Sequence, residues 1–374
     1  MYKYRQILGK NKTSTDYAIA IVAIVLSVLG VFMVASASRG SDSSYVTKQS
    51  FAVFLGICFM FILSFLNYEI YLNTKLSILL FVSSIALLVL TLVIGVGSGN
   101  QNWIVLKGLS INIQPSEFVK VLFILTFSKH LDSIKGKINK ITNVLLLMLH
   151  AGIIIGLVML QGDLGSALVF MFIALVMCFT QGLSIWYLLG GGSAVVLAAP
   201  YLWNFLKPYQ QQRILVGFNP ESDPLGYGYQ QILSKTAIMN SNFLGTGYME
   251  STVSPTIPYN HTDMIFAVLA EELGILGVIF LMVCLVFLFV RITKAAFNAR
   301  KDVGAIICSG VIAMLVAQAA ENIGMTLGVL PIIGITLPFI SYGGSSVLSI
   351  FLALGIVLSV TRYRNKYFFE REPS

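Results

Sequence analysis

The sequence predicts an all-α integral membrane protein of about ten spanning helices, and three observations carry that prediction. Of its 374 residues, 57% are hydrophobic and 11% charged, where a soluble domain carries about 25% charged residues. The apolar residues gather into stretches of about 20, the length that crosses a hydrocarbon core roughly 30 Å thick. Lys and Arg collect in alternate loops, as the positive-inside rule requires.

The spans fall at about 16–37, 48–67, 75–97, 114–130, 141–160, 163–181, 184–206, 264–290, 302–328 and 338–361. The first lacks the small-residue cleavage site of a signal peptide and is nearly long enough to cross, so it reads as a retained helix. With the N-terminus inside, seventeen cations fall on the inner side and seven outside or within the membrane. Both termini are therefore expected in the cytoplasm, and the formal charge of +8 is a topology signal rather than a nucleic-acid patch. The chain reads as one polytopic domain over 1–374, with one long outer segment at about 207–262. Within it YQQILSKTAIM has the spacing of a helix lying on the membrane surface. Cys58, Cys178, Cys284 and Cys308 sit far apart in apolar spans, and His130, His150 and His261 form no local ligand pattern.

Chemistry is then sought among the ionisable residues that a membrane makes expensive. In QPSEFVKVLF, Pro115 suits a first helical turn and Glu117 its positive end. Lys120, one turn deeper on the same face, is either half of a local ion pair or a cation lining a polar cavity. In NHTDMIFAVLAEELG, Asp263 is either a helix cap or an acid at the outer mouth of the bundle. The small residues Ala267, Ala270, Gly274 and Gly277 lie below it and admit a neighbouring helix. Glu271 and Glu272 are expected to be hydrogen-bonded structural acids. Arg213 and Lys235 are outer cations that topology does not explain, and they suit a phosphate-bearing ligand. Asp163, in QGDLG, reads as a turn or cap. ENIGMTLGVLPIIGITLPFISYGGSS packs Gly and Pro into a helix end, a loop and a helix start; such backbone is tolerated at membrane depth only when buried in protein or lining a cavity.

QPSEF with its following Lys, the DLG turn, DPLGYGYQ, HTDMIFAVLAEELG and LPFISYGGSS resemble, in order and spacing, the SEDS family of peptidoglycan polymerases typified by RodA and FtsW. The resemblance covers essentially the whole chain, and the Ser234–Lys235 pair and overall length are most similar to the RodA branch. It implies an inverting glycosyltransferase of the bacterial cytoplasmic membrane. Such an enzyme joins lipid II units on the outer face and releases undecaprenyl diphosphate. It also implies that Asp263 is the essential acid, and that Glu117, Lys120 and Arg213 are site residues. Lys235 and His261 are placed with the substrate on the same ground, and Ser341, Gly343, Gly344 and Ser345 of the YGGSS segment flank the cavity. The resemblance further implies a partner, a class B penicillin-binding protein that crosslinks the new strand. The pattern departs at Asn102 in GNQNWI, where many members have Arg; at QGDLG for QPDLG; and in the STVSPTIPYN stretch before HTD.

The residues suit this chemistry on their own terms. An inverting displacement needs a base for the attacking hydroxyl and positive charge for the leaving diphosphate. A divalent cation, Mg²⁺ or Mn²⁺, bridging Asp263 and diphosphate is the other role open to the acid. A lipid II flippase or other transporter is the competing class, but it wants its key ions near the midplane. Glu321, deep in the ninth expected span, reads as a neutral structural acid. Glu321→Gln is therefore predicted to retain polymerase activity, and a well-folded but inactive variant would overturn that assignment.

Overall fold

The computed structural model describes residues 15–39, 44–97, 101–106, 111–204 and 206–363. The basic clusters at Lys3–Lys12 and Arg364–Arg371, and Lys107, used above to orient the chain, lie outside them. Each expected span corresponds to one long helix: α1 (Tyr17–Ala37), α2 (Ser44–Phe65), α3 (Thr74–Ile94), α4 (Pro115–Ser133), α5 (Ile141–Leu160), α6 (Leu164–Thr180) and α7 (Ile185–Trp203). Two shorter helices, α8 (Pro208–Phe218) and α9 (Tyr229–Asn240), occupy the long segment at 207–262, and α10 (Ile265–Phe297), α11 (Asp302–Thr326) and α12 (Gly344–Arg362) complete the chain. Seven of these, α1, α2, α3, α5, α10, α11 and α12, are long and apolar enough to cross a membrane. Helix α9 coincides with the stretch whose spacing suggested it. Helix α8 and a small antiparallel hairpin, β1 (Ile104–Leu106) with β2 (Ile111–Ile113), were not anticipated.

The bundle is built around α12. Of its apolar window 83% is buried, against 17% for α3, so α12 is central and α3 faces outward. Helices α2 and α12 interlock through small residues. A β-carbon at Gly56 would lie 2.5 Å from the Phe351 ring, and one at Gly355 would lie 2.8 Å from the Met60 carbonyl oxygen. Close backbone approach of this kind is how helices adhere where lipid removes the hydrophobic drive. On one side of the bundle the cations meet acids: Arg291 holds Asp16 at 2.6 Å, Lys301 holds Glu69 at 2.7 Å, and Lys135 pairs with Asp302. These contacts bind the ends of α1, α4, α10 and α11, together with the segment before α3, into one basic face.

The largest departure from expectation is in α10. The stretch expected as one continuous span at 264–290 runs to Phe297 and is broken at Gly274, whose φ of 63° and ψ of −161° only glycine adopts readily. The break is repaired by the segment between α9 and α10. Thr246 N–H donates to the Glu271 carbonyl at 2.9 Å, Gly247 N–H to that of Glu272 at 3.0 Å, and Leu276 N–H to that of Phe243 at 3.3 Å. A buried backbone group without a partner is costly, so residues 242–247 complete a ladder that the helix alone cannot. Glu271 and Glu272 bind the following stretch. Glu271 accepts the amides of Thr252, Val253 and Ser254 at 3.0, 2.9 and 2.7 Å, while Glu272 accepts the hydroxyls of Ser36 and Ser251. They are the hydrogen-bonded structural acids that the sequence suggested.

Gly274→Ala should lower the thermal midpoint in detergent, since the backbone strain alone costs about 1–3 kcal/mol. An added β-carbon would also come within 2.2 Å of the Gly245 amide nitrogen. An unchanged midpoint would show that α10 is not broken there.

Candidate active site

Asp263 lies in the turn just before α10, and the three carbonyls around it are each held from the far side of the chain. The carbonyl of His261 accepts the Tyr342 amide at 2.8 Å, that of Thr262 accepts the Ser341 hydroxyl at 2.7 Å, and that of Asp263 accepts the Asn322 side-chain amide at 2.8 Å. Asn322 also holds the Ile335 carbonyl at 2.7 Å, and Leu337 N–H donates to Ser341 Oγ at 2.7 Å. The HTD turn is thereby stapled onto the irregular 327–343 segment between α11 and α12. Behind it Gln49 of α2, wholly buried, spans Ser341 and Gly343, donating to the carbonyl of one at 3.0 Å and accepting the amide of the other at 3.2 Å.

The Asp263 carboxylate rests over Gly334, where an added β-carbon would come within 3.4 Å of Oδ2. Burial pushes its pKa up to about 6; Arg213 pulls it down and Asp163 pushes it further up. Arg213 is half-buried on α8, 5.9 Å from the centre of the Tyr209 ring. Asp163 caps α6 by accepting Ser166 N–H at 3.0 Å, the role expected for it. It also accepts Gln114 Nε2 at 2.9 Å and Asn102 Nδ2 at 3.4 Å, which brings the acid of the DLG turn into the electrostatic field of Asp263.

The other expected site residues are placed as follows. Lys120 is fully buried and bonded to Glu117 at 2.7 Å, and Glu117 also accepts the Ser349 hydroxyl at 3.2 Å. The local ion pair considered above is therefore present, buried behind the mouth. Ser345 accepts the Gln114 amide at 3.1 Å and so fixes the entry to α4, while Ser341 spends both hydrogen-bonding capacities on the HTD turn and its neighbour. Gly343 and Gly344 lead into α12 beside α2. Lys235 lies across Gly328 at the end of α11. Its helix is secured by Gln231, which donates to the carbonyls of Met325 and Leu330 at 3.2 and 2.8 Å. Glu321 stands closer to the site than its sequence position suggests: it is next to Asn322 and in the electrostatic field of Asp163 and Lys120.

Sequence reasoning passed over Asn322, Gln49 and Tyr45. Asn322 and Gln49 are single amides in apolar helices, and the only signal they give is the cost of burying an amide without a partner. Sequence reasoning also left His130 and His150 apart. The structure sets their Nδ1 atoms 3.1 Å apart between α4 and α5.

Comparison with known proteins agrees with this architecture. The family model described as cell cycle protein (FtsW/RodA/SpoVE) matches residues 16–366. The peptidoglycan glycosyltransferase MrdB of Escherichia coli K12 is 33% identical over 362 residues, which is 95% of each chain. Stage V sporulation protein E of Bacillus subtilis is 34% identical, over 94% of this chain and 98% of its own. Among solved structures, a chain of a peptidoglycan synthase complex that coordinates polymerization and crosslinking superposes with a TM-score of 0.81 at 33% identity, covering 94% of this chain and 99% of that one. The rod shape determining protein RodA of Thermus thermophilus gives 0.71 at 29%, over 95% and 99%. The chain belongs to the FtsW/RodA/SpoVE family and is a multi-pass protein of the bacterial inner membrane.

Because Arg213 opposes the rise in the Asp263 pKa, Arg213→Gln should move the acid limb of kcat/KM to higher pH. The limb of the wild type should lie near 6, ionised Asp263 being the active form above it. An acid limb unchanged in the variant would dissociate the two residues.

Proposed function

We propose that the chain polymerises glycan strands with Asp263 as the acid on which transfer depends. It is a peptidoglycan glycosyltransferase, the activity by which its relatives MrdB and FtsW are named. The reaction is an inverting transfer: the growing chain leaves its undecaprenyl diphosphate carrier and joins the GlcNAc 4-hydroxyl of lipid II. Ten helices cross the membrane, both termini lie in the cytoplasm, and the segment at about 207–262 faces outward. The branch assigned is the RodA branch of elongation, on the Ser234–Lys235 pair.

One observation carries the mechanism: a carboxylate on a turn held by Asn322 and Ser341, in the electrostatic field of Arg213, its pKa pushed up by burial to about 6. A base is most effective with a pKa near the working pH. Ionised Asp263 accepts the proton of the attacking hydroxyl as the C–O bond forms at the anomeric carbon and the bond to the diphosphate breaks. Arg213 neutralises the charge that develops on the leaving diphosphate. Fixing the turn in advance removes reorganisation from the barrier. Lys235 supplies a second cation at the rim.

A divalent cation would take a different place in the same arrangement. Among the described residues no three His, Cys, Asp or Glu side chains converge on a point. An Mg²⁺ or Mn²⁺ would therefore be held by Asp263 together with diphosphate oxygens, and would supply charge neutralisation. The partner proposed is a class B penicillin-binding protein, supported by the likeness to a chain from a complex that couples polymerization with crosslinking.

The purified protein with its cognate transpeptidase should convert lipid II into glycan strands, and Asp263→Ala with an unchanged melting point should make none. Strands from the variant at the wild-type rate would remove Asp263 from the mechanism.

A further inference from the structure

The mouth of the site carries three rings that the mechanism above does not use. Tyr45, from the first turn of α2, lies over His261 with ring centres 4.6 Å apart and planes inclined by 32°. Tyr342 closes the group edge-on, 5.0 Å from Tyr45 and 5.7 Å from His261. All three are half-buried, so each retains a surface facing out of the protein. The group is tied to the acid through the chain itself, since His261 precedes Asp263 by two residues and its carbonyl accepts the Tyr342 amide.

The hydrogen bonds around His261 settle its proton. The Asn260 side-chain nitrogen donates to two carbonyls, Ala37 at 3.0 Å and Ser254 at 3.1 Å, so the amide oxygen is the atom turned to the imidazole. That oxygen lies 3.3 Å from His261 Nδ1 and can only accept, which places the proton on Nδ1. Nε2 is left as an acceptor, and among the described residues it has no hydrogen-bond partner. Burial lowers the imidazole pKa below its ordinary value, which keeps that lone pair available at neutral pH.

An acceptor set between aromatic surfaces suits one kind of group: a pyranose ring. Its C–H face packs on the negative face of an aromatic ring, and its hydroxyl or acetamido N–H supplies the missing donor. We infer that Tyr45, His261 and Tyr342 form a sugar subsite of the transferase, in which His261 Nε2 accepts a hydrogen bond from the substrate and Tyr45 carries the flat of its ring. The inference rests on the reading that transfer occurs at Asp263. It adds what that reading lacks, a means of orienting the sugar against the acid. The phosphate contacts at Arg213 are indifferent to the sugar; this subsite is not.

The test measures initial rates of lipid II polymerisation against lipid II concentration for the protein in complex with its transpeptidase. Tyr45→Ala is expected to raise KM about tenfold with kcat within about twofold, and Tyr45→Phe, which keeps the ring, should restore KM. His261→Phe keeps a ring and loses the acceptor, and should also raise KM about tenfold. A measurement without turnover accompanies this: the thermal stabilisation that lipid II gives to Asp263→Ala protein should shrink when Tyr45→Ala is added. A fall in kcat at constant KM, together with undiminished stabilisation by lipid II, would mean that the rings only brace the turn, and would overturn the inference. The underlying reading fails separately, if Asp263→Ala remains active.

Discussion

The candidate active site depends on one constraint: three successive carbonyls, of His261, Thr262 and Asp263, each taken by a donor from the α11–α12 region. A turn at the end of a helix ordinarily leaves such groups to water and moves accordingly. Here the donors are Tyr342 N–H, the Ser341 hydroxyl and Asn322 Nδ2, and two of those side chains, Ser341 and Asn322, are themselves buried. The acid is thus positioned by α11 and the segment leading into α12 rather than by the loop that carries it. The same staple explains why the 327–343 segment has no regular structure. Backbone groups of Leu330, Leu337, Ser341, Tyr342 and Gly343 bond instead to Gln231, to Ser341 Oγ, to Gln49 and to the HTD turn.

Charge is arranged in layers behind this turn. Nearest the mouth, Arg213 and Asp163 act on Asp263 in opposite directions. Deeper, Lys120 and Glu117 neutralise each other in full burial. Breaking a buried pair by removing one partner strands a charge, at about 3–5 kcal/mol. Loss of function on substituting Lys120 therefore reports on folding before it reports on substrate. Arg213 and Asp263 are better probes of chemistry, because neither belongs to a fully buried ion pair among the described residues.

Much of this was legible in the sequence because lipid imposes strict rules. Spans of about 20 apolar residues located every long helix, although α10 runs past its expected end at 290 to Phe297 and α12 begins at Gly344 rather than 338. Pro115 and Glu117 marked the start of α4, and the glycine and proline run after Glu321 marked broken backbone at depth. What escaped was set by contacts distant in sequence. A hydropathy window sees residues 264–290 as uniformly apolar and has no means of registering that Asn242–Gly247 supplies the missing bonds at Gly274. Gln49 and Asn322 were invisible for the same reason: a lone amide in a span has no periodicity, and its importance is fixed by partners 292 and 59 residues away. Asp163 was read correctly as a cap and incompletely as a charge, since its proximity to Asp263 arises only from packing.

The break in α10 also divides the helix into two parts with separate tasks. The helical segment after Gly274 has 23 residues to Phe297, about 34 Å of rise, enough to cross the bilayer alone. Residues 265–273 are thus surplus to the crossing. They serve as a bracket, extending from the longer part of the helix and fastened to residues 251–254 by Glu271 and Glu272. The position of Asp263 is consequently a property of the protein's own scaffolding, set by residues 265–273 and the bonds that hold them. A thicker or thinner membrane would shift the span without altering the distance between the acid and the residues that hold it.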